Sequence, residues 1–210
     1  MFTKALLTDT FRALKLVSKI DIIQKSHLAG GTALTLHLGH RISVDLDFFT
    51  EEIFDENIIE NDLKRLSDFK EDGKAWRTIW GIVSNTKFSL FYYQYPLIKK
   101  PFEFEGVKIL SMEDIAAMKI HALEDRGTKR DFIDLYFLAK EFSMEQMLQF
   151  YDQKYGTLEE HFYSIIRSLD YFEDAKVDKM PKMMEKVSWE EVKKFFQNQA
   201  MRLAKDKLKV

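Results

Sequence analysis

The chain of 210 residues has no cysteine, only three prolines and eight glycines. Without cysteine there are no disulfides and no thiolate metal sites, which suits a reducing compartment. No apolar run approaches the ~18–20 residues that a membrane helix needs, and Met1-Phe2-Thr3-Lys4 does not open a signal peptide, so a cytoplasmic protein with no membrane contact is expected. The prolines stand at 96, 101 and 181, and no Gly/Ser tract marks a flexible linker. Also missing are a P-loop, Gly-x-Gly-x-x-Gly, Gly-x-Ser-x-Gly and His-Glu-x-x-His, which removes several familiar chemistries. A net charge of −2 argues against indiscriminate nucleic-acid binding, although Lys176 to Lys186 and the stretch from Lys193 onward are locally cationic and can hold an RNA backbone. Hydrophobic residues make up 46% of the chain, 18 of them Phe, which is ample for a core.

Two of the few glycines stand together, in Leu28-Ala29-Gly30-Gly31-Thr32-Ala33-Leu34. Gly30 and Gly31 let the backbone turn tightly and approach a ligand closely, and Thr32 suits the N-cap of a helix from Ala33 to Leu38. Backbone N–H groups at such a turn suit an anion, such as a triphosphate. From Val44 to Phe48 the chain alternates apolar and acidic residues, which is strand periodicity. Residues i and i+2 of a strand share a face about 6.6 Å apart, so Asp45 and Asp47 are expected to point the same way. Hard carboxylate ligands of this kind suit Mg²⁺ or Mn²⁺ bridging to phosphate oxygens. Arg41 and Ser43 are expected to reach phosphates beside Asp45, His40 to orient the acidic strand, and His37 reads as helix surface.

A second unusual stretch runs from Ile115 to Tyr136. On a helical wheel Lys119 falls among Ala116, Met118, Ala122 and Leu123, and a buried ammonium requires a carboxylate or a bound anion. Asp134 falls between Phe137 and Leu138 on the next helix, with Asp131 one turn away. Two readings stay open: a structural Lys119–Asp134 ion pair, or a shared active site in which Lys119 contacts phosphate and Asp134 assists the nucleophile or positions Lys119. Together with the upstream aspartates the second is favoured. Arg126 and Arg130 either contact substrate or lie in solvent.

Gly30-Gly31-Thr32-Ala33-Leu34 with Gly39-His40-Arg41-Ile42-Ser43-Val44-Asp45-Leu46-Asp47-Phe48-Phe49 resembles the AbiEii/AbiGii-type nucleotidyltransferase toxins, within the polymerase-β-like nucleotidyltransferase fold. Lys119, the basic turn and Arg130-Asp131-Phe132-Ile133-Asp134-Leu135-Tyr136 are similar to that family's second motif, and the matched stretches span residues 28–50 and 108–139. The resemblance implies catalytic Asp45, Asp47, Lys119 and Asp134. It implies metal on Asp45 and Asp47, and nucleotide contacts from Gly30, Gly31, Thr32, Arg41, Ser43, Arg130 and Asp131. One departure stands out: wider members place a third carboxylate on a later strand, whereas Phe88-Ser89-Leu90-Phe91-Tyr92-Tyr93 has none. The resemblance gives that task to Asp134.

The layout predicts an α+β protein with a nucleotidyltransferase-like mixed sheet and helices over 1–110, and a helical lobe over 111–210 that contributes to the active site. Expected elements are a helix over 8–20, strands over 27–29 and 44–49, a helix over 54–69, and strands over 76–83, 87–95 and 107–110. Ser111-x-x-Asp114, Ser143-x-x-Gln146, Thr157-x-x-Glu160 and Ser188-x-x-Glu191 mark four helix starts. The expected function is Mg²⁺-dependent transfer of a nucleoside monophosphate from an NTP. The resemblance implies an RNA acceptor such as the 3′ end of tRNA, and a toxin restrained by an antitoxin. A protein or small-molecule acceptor, or a binding module that has lost catalysis, are the alternatives.

Overall fold

The computed structural model describes residues 1–66 and 68–208 and divides after Ser111 into two compact units. In the first, a single turn at Thr3–Ala5 leads to helices α1 (Thr8–Val17) and α2 (Asp21–Lys25), strand β1 (His27–Leu28), helix α3 (Gly30–Leu38), strand β2 (Leu46–Thr50) and helix α4 (Glu56–Lys64). Strands β3 (Phe69–Ala75), β4 (Thr78–Val83), β5 (Thr86–Tyr92), β6 (Phe102–Phe104) and β7 (Val107–Ile109) follow. They form one mixed seven-stranded sheet in the order β3-β4-β5-β2-β1-β7-β6, parallel where β2 meets β5 and where β1 meets β7. The α+β class with a mixed sheet expected from sequence is what the chain adopts.

The two faces of β2, β4 and β5 differ. Leu46, Phe48, Ile79, Val83, Phe88 and Leu90 alternate onto one face and are fully buried, each contributing about 1.5–3 kcal/mol by leaving water. Helix α4 packs against β3 and β4, and α1 against β5. The intervening residues Asp47, Phe49, Trp80, Ser89 and Phe91 are half-buried or exposed. Ser84 and Asn85, with φ of +47° and +60°, make the tight turn that joins β4 to β5.

Several elements depart from the sequence expectation. The first helix ends at Val17 and a separate short α2 follows. The helix expected to Phe69 stops at Lys64, and Phe69 opens β3. Strand β3 lacks apolar alternation because Phe69-Lys70-Glu71-Asp72-Gly73-Lys74-Ala75 is mostly charged, as befits an edge strand that must not pair with another chain.

The second unit contains α5 (Met112–Asp125), α6 (Lys129–Leu138), α7 (Met144–Tyr155), α8 (Leu158–Leu169), α9 (Glu173–Lys176) and α10 (Trp189–Leu208). The Ser143–Gln146 capping box forms reciprocally, and Ser188 accepts from the Glu191 N–H at 3.1 Å. Thr157 makes no such cap, and Asp152 accepts from the Leu158 N–H at 3.2 Å instead. Helix α5 packs against α6, α7 and α8, with the buried Lys154–Asp114 ion pair at 2.8 Å tying α7 to it. No helix among the described residues is long and apolar enough to cross a membrane.

Candidate active site

In the sheet unit, β1 runs antiparallel to β2 with His27 opposite Phe49 and Leu28 opposite Phe48. The Ala29 N–H extends this pairing by donating to the Asp47 carbonyl at 2.9 Å. The register therefore sets the Gly30-Gly31 turn directly beside Asp47. Gly30 has φ of +65°, a left-handed conformation that side chains resist, and a Cβ there would lie 3.0 Å from Asp47 Oδ2. Gly31 is required for space: its Cβ would lie 2.1 Å from Arg41 Nη2 and 3.1 Å from Ser43 Oγ. The turn thus rests against the Asp47 carboxylate, the Arg41 guanidinium and the Ser43 hydroxyl.

Thr32 does not cap the helix, in contrast to the sequence expectation. Helix α3 starts at Gly30 with Ala29 as its N-cap, which puts Thr32 inside the first turn. There its buried hydroxyl donates to the Asp45 carbonyl at 2.5 Å and lies 2.9 Å from Ser43 Oγ. Thr35 donates to the Arg41 carbonyl at 3.1 Å. These side chains pin the loop from Arg41 to Asp45 onto α3, and Arg41 and Ser43 are themselves buried. His37 is not simple helix surface, since its Nε2 lies 2.8 Å from the Leu110 carbonyl and its ring packs edge-on against Phe102.

Asp45 precedes β2 rather than belonging to it, so strand alternation does not fix its direction; Asp47 is the strand residue. Across the parallel pairing Asp47 stands in register with Ser89. A serine, not a carboxylate, therefore stands opposite Asp47 on the neighbouring strand.

The helical unit holds the second cluster. Lys119 on α5 bridges both aspartates of α6, with Nζ 2.9 Å from Asp131 Oδ1 and 2.7 Å from Asp134 Oδ2. All three side chains are buried. Asp131 also accepts from Arg126 Nε at 3.0 Å, from Arg126 Nη2 at 3.3 Å and from Thr128 Oγ1 at 2.6 Å. Burial alone would push the Asp131 carboxyl up. The Lys119 charge, together with Arg126 and Thr128, overcomes this and holds it well below the usual carboxylate range. Arg126, left between substrate and solvent by the sequence, is thus fixed to Asp131, while Arg130 is exposed. Thr128 caps α6 by accepting from the Asp131 N–H, a start marked in the sequence by Thr-x-x-Asp. A cleft of about 300 Å³ in this unit, between the ends of α5 and α8, is walled by Arg126, Gly127, Arg167 and Tyr171; no sequence motif marked it.

Among the described residues, no three His, Asp or Glu side chains gather as a ready metal cage. Asp45 and Asp47 fit a smaller role, that of one or two hard oxygen ligands to a cation that keeps waters and substrate phosphates in its shell.

The family described as nucleotidyl transferase AbiEii toxin, type IV TA system, matches residues 17–80 and 82–207. An uncharacterized protein of Aquifex aeolicus is 37% identical over 192 residues, covering 88% of this chain and 90% of its own. Among solved structures, JHP933 from Helicobacter pylori is 23% identical, with a TM-score of 0.55, and 96% of this chain and 94% of that one are covered. MenT4, a nucleotidyltransferase toxin of Mycobacterium tuberculosis, is 15% identical with a TM-score of 0.56, covering 94% and 89% of the two chains. These structural likenesses establish the fold, and the family match takes in both the glycine turn on Asp47 and the lysine–aspartate cluster. The chain belongs to the AbiEii nucleotidyltransferase toxin family and is a nucleotidyltransferase.

Proposed function

We propose that the protein transfers a nucleoside monophosphate from an NTP to the 3′ end of an RNA, with tRNA as acceptor, and that it is a toxin restrained by a partner antitoxin in the cytoplasm. The observation that supports this reading is the seating of the Gly30-Gly31 turn on the Asp47 carboxylate, where the N–H groups of the turn would meet a phosphate. Gly30 and Gly31 receive the triphosphate, and Arg41 supplies fixed positive charge beneath them. Thr32 and Ser43 hold the loop that carries Asp45.

Asp45 and Asp47 would hold Mg²⁺ or Mn²⁺, which when bound neutralises charge on the phosphate oxygens. The acceptor hydroxyl oxygen bonds to the α-phosphorus as the bond to the β-phosphate oxygen breaks. Pyrophosphate leaves, and the hydroxyl proton passes to a carboxylate of the Asp45/Asp47 pair. In the helical unit Lys119 is committed to Asp131 and Asp134, and its part is to hold that buried cluster together. Asp134 positions Lys119, and Asp131 braces Lys119 and Arg126.

The test is incubation of the purified protein with each α-labelled NTP, Mg²⁺ and total tRNA, beside D45A/D47A. Label on RNA from the native protein, reduced at least about 100-fold in the variant, is expected. Label on protein redirects the acceptor, and bound NTP without transfer refutes catalysis. Growth arrest on expression, relieved by Asp45→Ala, tests the toxin role.

A further inference from the structure

The open face of the sheet beside Asp47 carries a row of side chains that the reading above leaves unused. Strand pairing places Asp47 of β2, Ser89 of β5, Trp80 of β4 and Gly73 of β3 in one register line across four adjacent strands. Paired residues share a face, so Ser89 and Trp80 project on the same side as Asp47. Trp80 is 38% exposed, although its neighbours Ile79 and Gly81 are buried. Its ring lies over Gly73, where a Cβ would come within 2.4 Å of Trp80 Cζ2. The missing side chain at Gly73 is what lets the indole lie down across the edge strand, with its other face outward.

One register line further on, about 6.6 Å away along the strands, Lys87 of β5 and Lys70 of β3 flank Ile82 of β4. Both lysines are exposed. They lie on the open side, because both pair with Ile82, two residues from Trp80 on β4; beyond the bulge between Glu71 and Gly73, Lys74 pairs with Ile79 instead and turns to Asn57 and Glu60 of α4 on the other side. Trp80 stands two strand spacings, about 9.6 Å, from Asp47, a separation a nucleotide spans between phosphate and base.

We propose that Trp80, Lys70 and Lys87 form a track for a single-stranded nucleic acid, with a nucleobase stacked on the Trp80 indole and backbone phosphates on the two lysines. This rests on the reading of Gly30, Gly31, Asp45 and Asp47 as the reacting centre and identifies where its acceptor lies. A mononucleotide carries phosphate on one side of its base only. This surface offers phosphate partners on two sides of Trp80, at the glycine turn and at Lys70 and Lys87, and only a strand uses both. Charge complementarity to phosphate and an aromatic plane together are the features by which strands are held without sequence preference.

The test is fluorescence anisotropy of a 5′-fluorescein-labelled, unstructured RNA octamer with full-length protein, in EDTA and without NTP. Binding is then read apart from transfer, so the track and the catalytic reading fail separately. W80A is expected to weaken binding about 5- to 100-fold, and W80F to stay within about 3-fold of wild type. K70E/K87E, on exposed positions, should weaken binding and flatten the dependence of log Kd on log salt by about two charges' worth. Unlabelled ATP is titrated as the mononucleotide arm. No octamer binding by wild type, unchanged affinity in both W80A and K70E/K87E, or a W80A loss confined to ATP overturns the proposal.

Discussion

Replacing Lys119 with methionine removes the cation that lies between two carboxylates buried from water. The Lys119 side chain is 7% exposed, that of Asp131 1% and that of Asp134 0%. Deleting one partner of such a pair costs about 3–5 kcal/mol, because the charge left behind has lost its solvent without keeping its counterion. At about 2–4 °C per kcal/mol for a chain of this size, Tm should fall by roughly 6–20 °C. The loss has a definite pH dependence. Burial pushes the Asp131 carboxyl up, but Lys119, Arg126 and Thr128 hold it below its ordinary value. A depressed folded pKa contributes stability above the unfolded value near ~3.9 and loses it as pH falls through the folded one. Without Lys119 the Asp131 carboxyl moves up, so the deficit of K119M is largest at neutral pH and shrinks as pH falls toward about 4. Asp131 retains Arg126 and Thr128, so K119M/D134L, which replaces the other ion pair by apolar groups, should recover most of the loss. Thermal and urea denaturation at neutral and acidic pH measure all of this. K119M within about 1 kcal/mol of wild type at pH 7, or a deficit that grows on acidification, refutes the reasoning.

Gly31→Ala brings a methyl within 2.1 Å of Arg41 Nη2, so the buried guanidinium must shift; at least about a 10-fold loss of kcat/KM is expected, with a smaller effect on Tm. Tyr136 donates to Glu191 at 2.5 Å, and that bond, burial and the Glu191 charge push its pKa up to about 12. Its stabilising contribution is present below the unfolded value near ~10 and lost as pH rises through the folded one, and Glu191→Gln should return the ultraviolet titration toward ~10. Ser143→Ala opens one side of the α7 capping box and should cost about 1 kcal/mol in urea unfolding.

The local chemistry was written into the chain. Alternation in β4 and β5, the paired glycines, and a lysine and an aspartate, Lys119 and Asp134, on apolar wheel positions all follow from short-range periodicity and the cost of burying charge. What the order of residues left open was partnership. Thr32 reads as a cap from its neighbours alone, but the fold begins α3 three residues earlier and turns the hydroxyl to Asp45 and Ser43. Strand β3 hides in a charged stretch because an edge strand is selected for what it must not bind. Lys119 required an anion, and only the packing of α5 on α6 decided that both Asp131 and Asp134 answer it. The alignment of Asp47 with Ser89, Trp80 and Gly73 likewise exists in no stretch of sequence. It is a product of strand order and register, which join residues far apart in the chain, while periodicity reports only on neighbours.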